Sequence, residues 1–243
     1  MPDHESNQPI RENFSDEAII LESLEHPAII RFHAHGIDFE RPYFELEYIH
    51  GLSGAEIMLE SRKAKKSVPL GLALGIIKAI AEALDHGYTQ RKDGTASQII
   101  HNDISPHNFQ IGFDGSIKLL DYGVAIREKV PSRHGRRGKF AYMAPEAIQM
   151  KPLDHRSDLF SLGVAFYEMV VHKRAFKATT PEETMERIVK GDIKRPSEYS
   201  SSFPRMLESI MMKCLATTPQ QRFQTGKSLG HAIDAFAATQ RID

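Results

Sequence analysis

Two stretches of the chain are apolar on a helical spacing, and each is long enough to cross a domain. Residues 70–85 read as one helix, with Pro69 at the entry, where its missing N–H is no loss. Residues 157–171 are apolar on nearly every side, which predicts a helix at the centre of a core rather than on its surface. Two shorter stripes follow, Met206, Leu207, Ile210, Met211 and Cys214, then Leu229, Ile233 and Phe236. Thr180-Pro181-Glu182-Glu183 predicts a capping box with proline in the first turn. Nearer the start, Ile20, Leu21 and Leu24 form a stripe that ends at His26-Pro27. Residues 28–35 and 43–49 read as strands joined by a turn around Gly36 and Arg41-Pro42. Two short apolar runs flank Asp114-Gly115, a strong hairpin signal, and residues 91–97 read as a polar loop. Residues 1–13 are polar and predict a disordered lead.

Composition narrows the class. A chain of 243 residues, 41% hydrophobic, can bury one large core or two small ones. A formal charge of −1 gives no electrostatic case for nucleic acid or an anionic membrane as partner. One cysteine, Cys214, excludes an internal disulfide and fits a reducing, cytoplasmic compartment. No apolar run approaches the length of a membrane span, and the first residues lack a basic-then-apolar signal pattern. His33 and His35 lack further ligands at metal-site spacing, and Lys63, Lys65 and Lys66 read as a solvated helix end.

The candidate chemistry lies around the hairpin. Asp103 and Asn108 stand five residues apart behind His101, and Asp121 follows thirteen residues after Asn108. Phosphoryl transfer needs a carboxylate to take the proton of the acceptor hydroxyl and oxygen ligands that hold Mg²⁺ on the phosphates. Asp103 fits the first need, and Asn108 with Asp121 the second, because a hairpin between them returns the two positions to one place. Taken alone, this spacing also arises by chance in a loop.

Downstream motifs strengthen it. Gly138-Lys139-Phe140-Ala141-Tyr142-Met143-Ala144-Pro145-Glu146 resembles the end of a protein-kinase activation segment. Asp158 to Gly163 resembles the start of the buried helix behind the kinase catalytic loop, and Arg222 the late arginine that pairs with Glu146. Ser105 and Lys139 make the match most similar to eukaryotic-like serine/threonine kinases of bacteria, over residues 14–238. The resemblance implies an α+β protein kinase-like fold with a lead over 1–13, a reduced small lobe and hinge over 14–51, and a mostly helical large lobe over 52–243. It implies ATP and Mg²⁺ as cofactors and a protein as substrate or partner. Glu17 falls at the position of the small lobe's ion-pairing glutamate. Glu47, Tyr48 and Ile49 become the hinge that meets adenine, Leu46 the residue guarding the pocket behind it, and Gln110 the adenine floor. Leu21, Phe32, His101 and Tyr122 map onto a stacked column anchored on Asp158.

The departures from the family pattern are equally specific. No glycine-rich loop and no lysine-bearing strand precede Glu17, so the small sheet is expected to keep two strands, with residues 43–49 as an unpaired edge. The apolar face of 18–24 is then expected to be partly exposed and covered by a partner, an upstream segment or a second copy in self-association. Gln110 puts an amide where the family has an apolar side chain. Asn102 stands where many kinases have arginine, and its replacement by alanine is expected to have only a small effect on activity. Ser105 and Lys139 exchange the residue types the family uses, so Lys139 is expected to reach toward Asp103 and supply the missing cation. Three readings follow: an active serine/threonine kinase, a pseudokinase serving as a binding or scaffold module, and a small-molecule phosphotransferase. The platform around Glu146 and Arg222 weighs against the third.

Overall fold

The computed structural model describes residues 18–39, 41–92, 95–122, 126–127, 140–176 and 178–242. Helix α1 is described over residues 18–23. Its apolar face is not left partly open, as expected from the sequence: Ala18, Leu21 and Leu24 are buried, and only Ile19 is well exposed. The reason lies in the turn that follows. The His26 ring accepts a hydrogen bond from the Ala28 amide at 3.1 Å, and the His26 carbonyl accepts one from Ile29 at 3.0 Å. The chain thereby doubles back, and Ala28, Ile29 and Ile30 join the same core as the long helices.

The two predicted strands form a ribbon, but with shifted bounds. Strand β1 is Phe32–Asp38 and β2 is Arg41–Leu46, paired antiparallel. Residues 28–30 leave the predicted strand because they bond to the large sheet instead: the Ile30 amide donates to the Leu119 carbonyl and the Leu119 amide to the Ala28 carbonyl. Gly36 and Arg41-Pro42 lie within the ribbon, and the turn falls at Phe39. Gly36 serves close packing here. It pairs with Tyr43, and a β-carbon added there would sit 2.6 Å from the Tyr43 hydroxyl. Pro42 is tolerated because a two-stranded ribbon leaves one side of each strand without ladder bonds. The edge is therefore half-paired, since β2 has β1 on one side.

Strand β3 (Gly51–Ser53) leads into helix α2 (Gly54–Lys63), where Ser53 and Glu56 cap each other in a complete box. Helix α3 (Leu70–Thr89) runs a turn beyond its predicted end. The expected polar loop after it holds a small hairpin, β4 (Arg91–Lys92) with β5 (Thr95–Ala96). Then come β6 (Ile99–Ile100), β7 (Phe109–Gly112), β8 (Ile117–Leu119) and β9 (Ile126–Arg127). Strands β3, β7 and β8 make an antiparallel sheet, and β6 pairs with β9. Helices α4 (Pro145–Ile148), α5 (Arg156–Val171), α6 (Pro181–Lys190), α7 (Arg205–Cys214) and α8 (Gly226–Gln240) complete the chain.

Helix α5 is buried from Ser157 through Met169, as an all-round apolar sequence requires. It packs on α3 and α7, and α3 packs along α8. Two predicted details change. Met206 drops off the α7 stripe and is 41% exposed. The cap of α6 is half a box: Thr180 accepts from the Glu183 amide, but the Glu183 carboxylate takes the amide of Thr179 instead of that of Thr180.

The α3–α8 crossing is close enough to exclude a side chain. A β-carbon at Gly226 would sit 2.0 Å from the Ala81 carbonyl oxygen, whereas one at Gly75, on the exposed face of α3, would meet nothing within 4 Å. Gly226→Ala is expected to destabilise the fold by about 1–3 kcal/mol through overpacking against backbone. Gly75→Ala should stabilise it by about 1 kcal/mol, because alanine is the better helix former. Equilibrium denaturation of the two variants checks both signs.

Candidate active site

The site begins with the β7–β8 hairpin. Gly115 adopts φ 87°, which an L side chain disfavours, and the Asp114 carboxylate accepts from both the amide and the hydroxyl of Ser116. Phe109 pairs with Leu119, Gln110 with Lys118, and Ile111 with Ile117. One further bond, from the Leu120 amide to the Asn108 carbonyl at 2.9 Å, extends the ladder to the open end. Asn108 and Asp121 thus flank that end as neighbours. The period of two also sorts the faces. Phe109, Ile111 and Leu119 are buried in the core, while Gln110 and Lys118 share the opposite face with Ser53 of β3.

The loop before β7 is fixed from below by Asp158. This buried carboxylate accepts the amides of His101 and Asn102, each at 2.8 Å. Burial pushes its pKa up to about 7, against the pull of those two bonds, and the charges of Asp154 and Asp103 add to the rise. Asn102 has φ 61° and Asp121 has φ 63°, both in the left-handed region that asparagine and aspartate tolerate best after glycine. The His101 ring ties the two segments together. Its Nε2 lies 3.0 Å from the Leu120 carbonyl, which can only accept, so Nε2 carries the proton and Nδ1 takes the Asp103 amide at 3.4 Å. The same ring lies 4.6 Å from that of Tyr122.

Above this frame sit the predicted base and metal ligand. The Asn108 amide nitrogen donates to the Asp103 carbonyl at 2.8 Å and to the Asp103 carboxylate at 3.1 Å. Both residues are largely buried. Because Nδ2 is turned inward, the amide oxygen of Asn108 is the atom left for an outside ligand. Ser105 is fully buried, and its hydroxyl has no partner among the described residues.

On the hinge side, Leu46 ends β2 opposite Phe32 and is 38% exposed, while Ile49 is half-buried against the core. Glu47 is bonded on several sides. Its carboxylate takes Lys118 Nζ at 2.6 Å and the Arg31 amide at 2.7 Å, and its own amide donates to the Arg31 carbonyl. Partial burial acts to raise the Glu47 carboxyl, but the bonds from Lys118 and Arg31 outweigh it and hold it below the ordinary value. Lys118 escaped the sequence reading. The only signal for it was its hairpin register opposite Gln110. Glu17 and Lys139 lie outside the described residues, and so does the proposed approach of Lys139 to Asp103.

Beside the site, Glu146 and Arg222 form a buried two-point ion pair at 2.6 and 2.7 Å. The Ser157 hydroxyl donates to Glu146, and Arg222 also reaches the carbonyls of Ala216, Arg156 and Thr217. A second buried acid, Glu168, accepts from the Tyr142 hydroxyl at 2.9 Å and from Arg174 at 3.1 Å. This cluster was also missed, since Glu168 reads simply as part of an apolar helix. Among the described residues no helix is long and apolar enough to cross a membrane.

A buried helix carrying the anchor acid, an Asp–Asn loop above it and a buried glutamate–arginine pair together define a kinase-type fold. The protein kinase domain family matches residues 2–233. The chain is 32% identical over 241 residues to the tyrosine-protein kinase MasK of Myxococcus xanthus, covering 97% of this chain and 37% of MasK. It is 26% identical over 227 residues to the "Probable serine/threonine-protein kinase" of Clostridium perfringens, covering 92% and 32% of the two. It is 31% identical over 215 residues to Aurora kinase C of Mus musculus, covering 88% and 72%. The chain belongs to the protein kinase family. It spans about a third of the length of the two bacterial relatives.

Two outcomes follow from the geometry. Arg222→Met should strand the buried Glu146 charge and cost roughly 3–5 kcal/mol, measured by denaturant unfolding. Asn102→Ala should cost about 1 kcal/mol of stability because of its left-handed backbone, whereas Asn102→Gly should be near neutral. Matching midpoints for the two Asn102 variants would contradict that account.

Proposed function

We propose that the chain is the catalytic part of an ATP-dependent protein serine/threonine kinase. The observation that carries this reading is the double hydrogen bond from Asn108 to Asp103, at the open end of a hairpin whose other arm leads to Asp121. In this reading Asp103 takes the proton of the acceptor hydroxyl. The oxygen of Asn108 and the carboxylate of Asp121 would hold Mg²⁺, a hard cation suited to such donors. When bound, that ion supplies charge neutralisation on the transferred phosphoryl group. The backbone of Glu47 to Ile49 would take the adenine edge, with Leu46 behind it and Gln110 beneath. Glu17 and Lys139 keep the roles that the family resemblance implies, a small-lobe carboxylate and a cation toward the phosphates. Ser105, enclosed between Asp103 and Asn108, would position the loop. A protein substrate would dock along 140–146. The buried single thiol of Cys214 is in keeping with a cytoplasmic setting.

One observation favours a second reading, a binding module with little nucleotide turnover. Gln110 shares the hinge-side face with Lys118, which makes a polar floor, and the ribbon exposes Ile37, Phe39 and Tyr43. Such a patch fits a protein partner or self-association.

Calorimetry with MgATP and a phosphotransfer assay with phosphoamino-acid analysis separate the two. Nucleotide binding is expected to be weak, tightened by Gln110→Leu, with transfer to serine or threonine. Asp103→Ala should lower turnover by about 10²–10⁴ while leaving nucleotide affinity near that of the unmodified chain. Transfer confined to tyrosine, as the name of the MasK relative describes, would overturn the acceptor assignment. Absent transfer with weak or no MgATP binding would favour the binding module, and sedimentation of Phe39→Asp against the unmodified chain would then test self-association.

A further inference from the structure

Two of the contacts that join the residues flanking the ribbon to the β7–β8 hairpin come from one side chain. Lys118 lies on β8, three residues before Asp121, and its ammonium meets the Glu47 carboxylate at 2.6 Å and the Ile29 carbonyl at 3.4 Å. The side chains of Lys118 and Glu47 are only 13% and 23% exposed, so water screens this pair far less than a surface pair. Backbone bonds continue the network on both sides. Glu47 exchanges two bonds with Arg31, and residues 28 and 30 bond to Leu119, the neighbour of Lys118. The same hairpin therefore carries Asn108 and Asp121 at its open end and Lys118 along its hinge-side face.

We infer that Lys118 is a positioning residue that clasps the hinge: through Glu47 it fixes residues 47–49 against the β7–β8 hairpin, and so sets the base end of the nucleotide site relative to its metal end. The nucleotide part of this statement rests on the kinase reading above, while the clasp itself stands on the contacts alone. Arg31 offers Glu47 a backbone amide and, more weakly than Lys118, the charge of its guanidinium, but neither ties the carboxylate to the hairpin. A methionine at 118 would keep the apolar stem but leave the carboxylate with one donor, so the hinge would lose its tie to β8 while the core beneath, Phe109 and Leu119, stays packed.

The test uses the full chain with Lys118→Met, Lys118→Arg and Glu47→Gln, followed by hydrogen exchange and MgATP calorimetry. Lys118→Met should speed exchange at the amides of 47–49 roughly tenfold, with the amides of α5 unchanged. Lys118→Arg should return most of the protection, and Glu47→Gln should reproduce the loss without removing a long side chain. In Lys118→Met the MgATP dissociation constant should rise about tenfold while turnover at saturating nucleotide holds, and Lys118→Arg should return most of the affinity. Unchanged exchange at 47–49, or an equal rise at α5 in both Lys118→Met and Glu47→Gln, would overturn the clasp. An unaltered MgATP affinity alongside faster hinge exchange would overturn its role in nucleotide positioning. If the unmodified chain binds no MgATP, the kinase reading fails, and the exchange result still decides the clasp.

Discussion

Two backbone amides that point at one buried carboxylate set the geometry of this molecule. The amides of His101 and Asn102 would face each other's positive ends with nothing between them if Asp158 were absent. Their union forces Asn102 into the left-handed region and aims Asp103 up from the core. Asp158 can hold that position because α5 is enclosed on all sides and cannot turn. A buried acid is costly to ionise, and here the cost is offset by fixed dipoles in place of water. Everything above it, from the His101 bridge to the Asn108 clamp, inherits its placement from this one carboxylate.

The hairpin is the second rigid part, and it works by register. A single-residue slip between β7 and β8 would either put Phe109 on the hinge side in place of Gln110 or bury Lys118. The tight turn at Asp114-Gly115 prevents it, and so does the demand of Phe109 and Leu119 for the core. One local turn thus decides three distant things: where Asn108 and Asp121 meet, which face is polar, and where the ribbon is tied.

Much of this was legible in the sequence. The all-round apolar stretch named the central helix, Asp114-Gly115 named the hairpin, and the spacing of Asp103, Asn108 and Asp121 singled out residues that the loop and hairpin bring to one end. What escaped was set by contacts between distant segments. Residues 28–30 have strand-like side chains, but their hydrogen bonds go to Leu119, which no local pattern reveals. Gly36 read as a turn glycine because turns are the commoner use, whereas a tyrosine ring lies against it. The apolar face of 18–24 read as partly exposed because the small sheet was expected to keep two strands, yet Leu21 and Leu24 join the core cluster that the long helices build. Lys118 and Glu47 are ordinary surface types whose pairing depends on a fold already formed.

The close crossing of α5 and α7 has a chemical consequence. Gly163 leaves so little room that a β-carbon there would sit 2.5 Å from that of Cys214, and the thiol is completely buried. Burial raises its pKa to about 12, so the reactive thiolate is scarce in the folded chain. Oxidants and alkylating reagents reach the sulfur only when the central helices part. The sole thiol of the sequence is therefore a native reporter of unfolding, silent toward motions of the ribbon and hinge and responsive to the loss of the core.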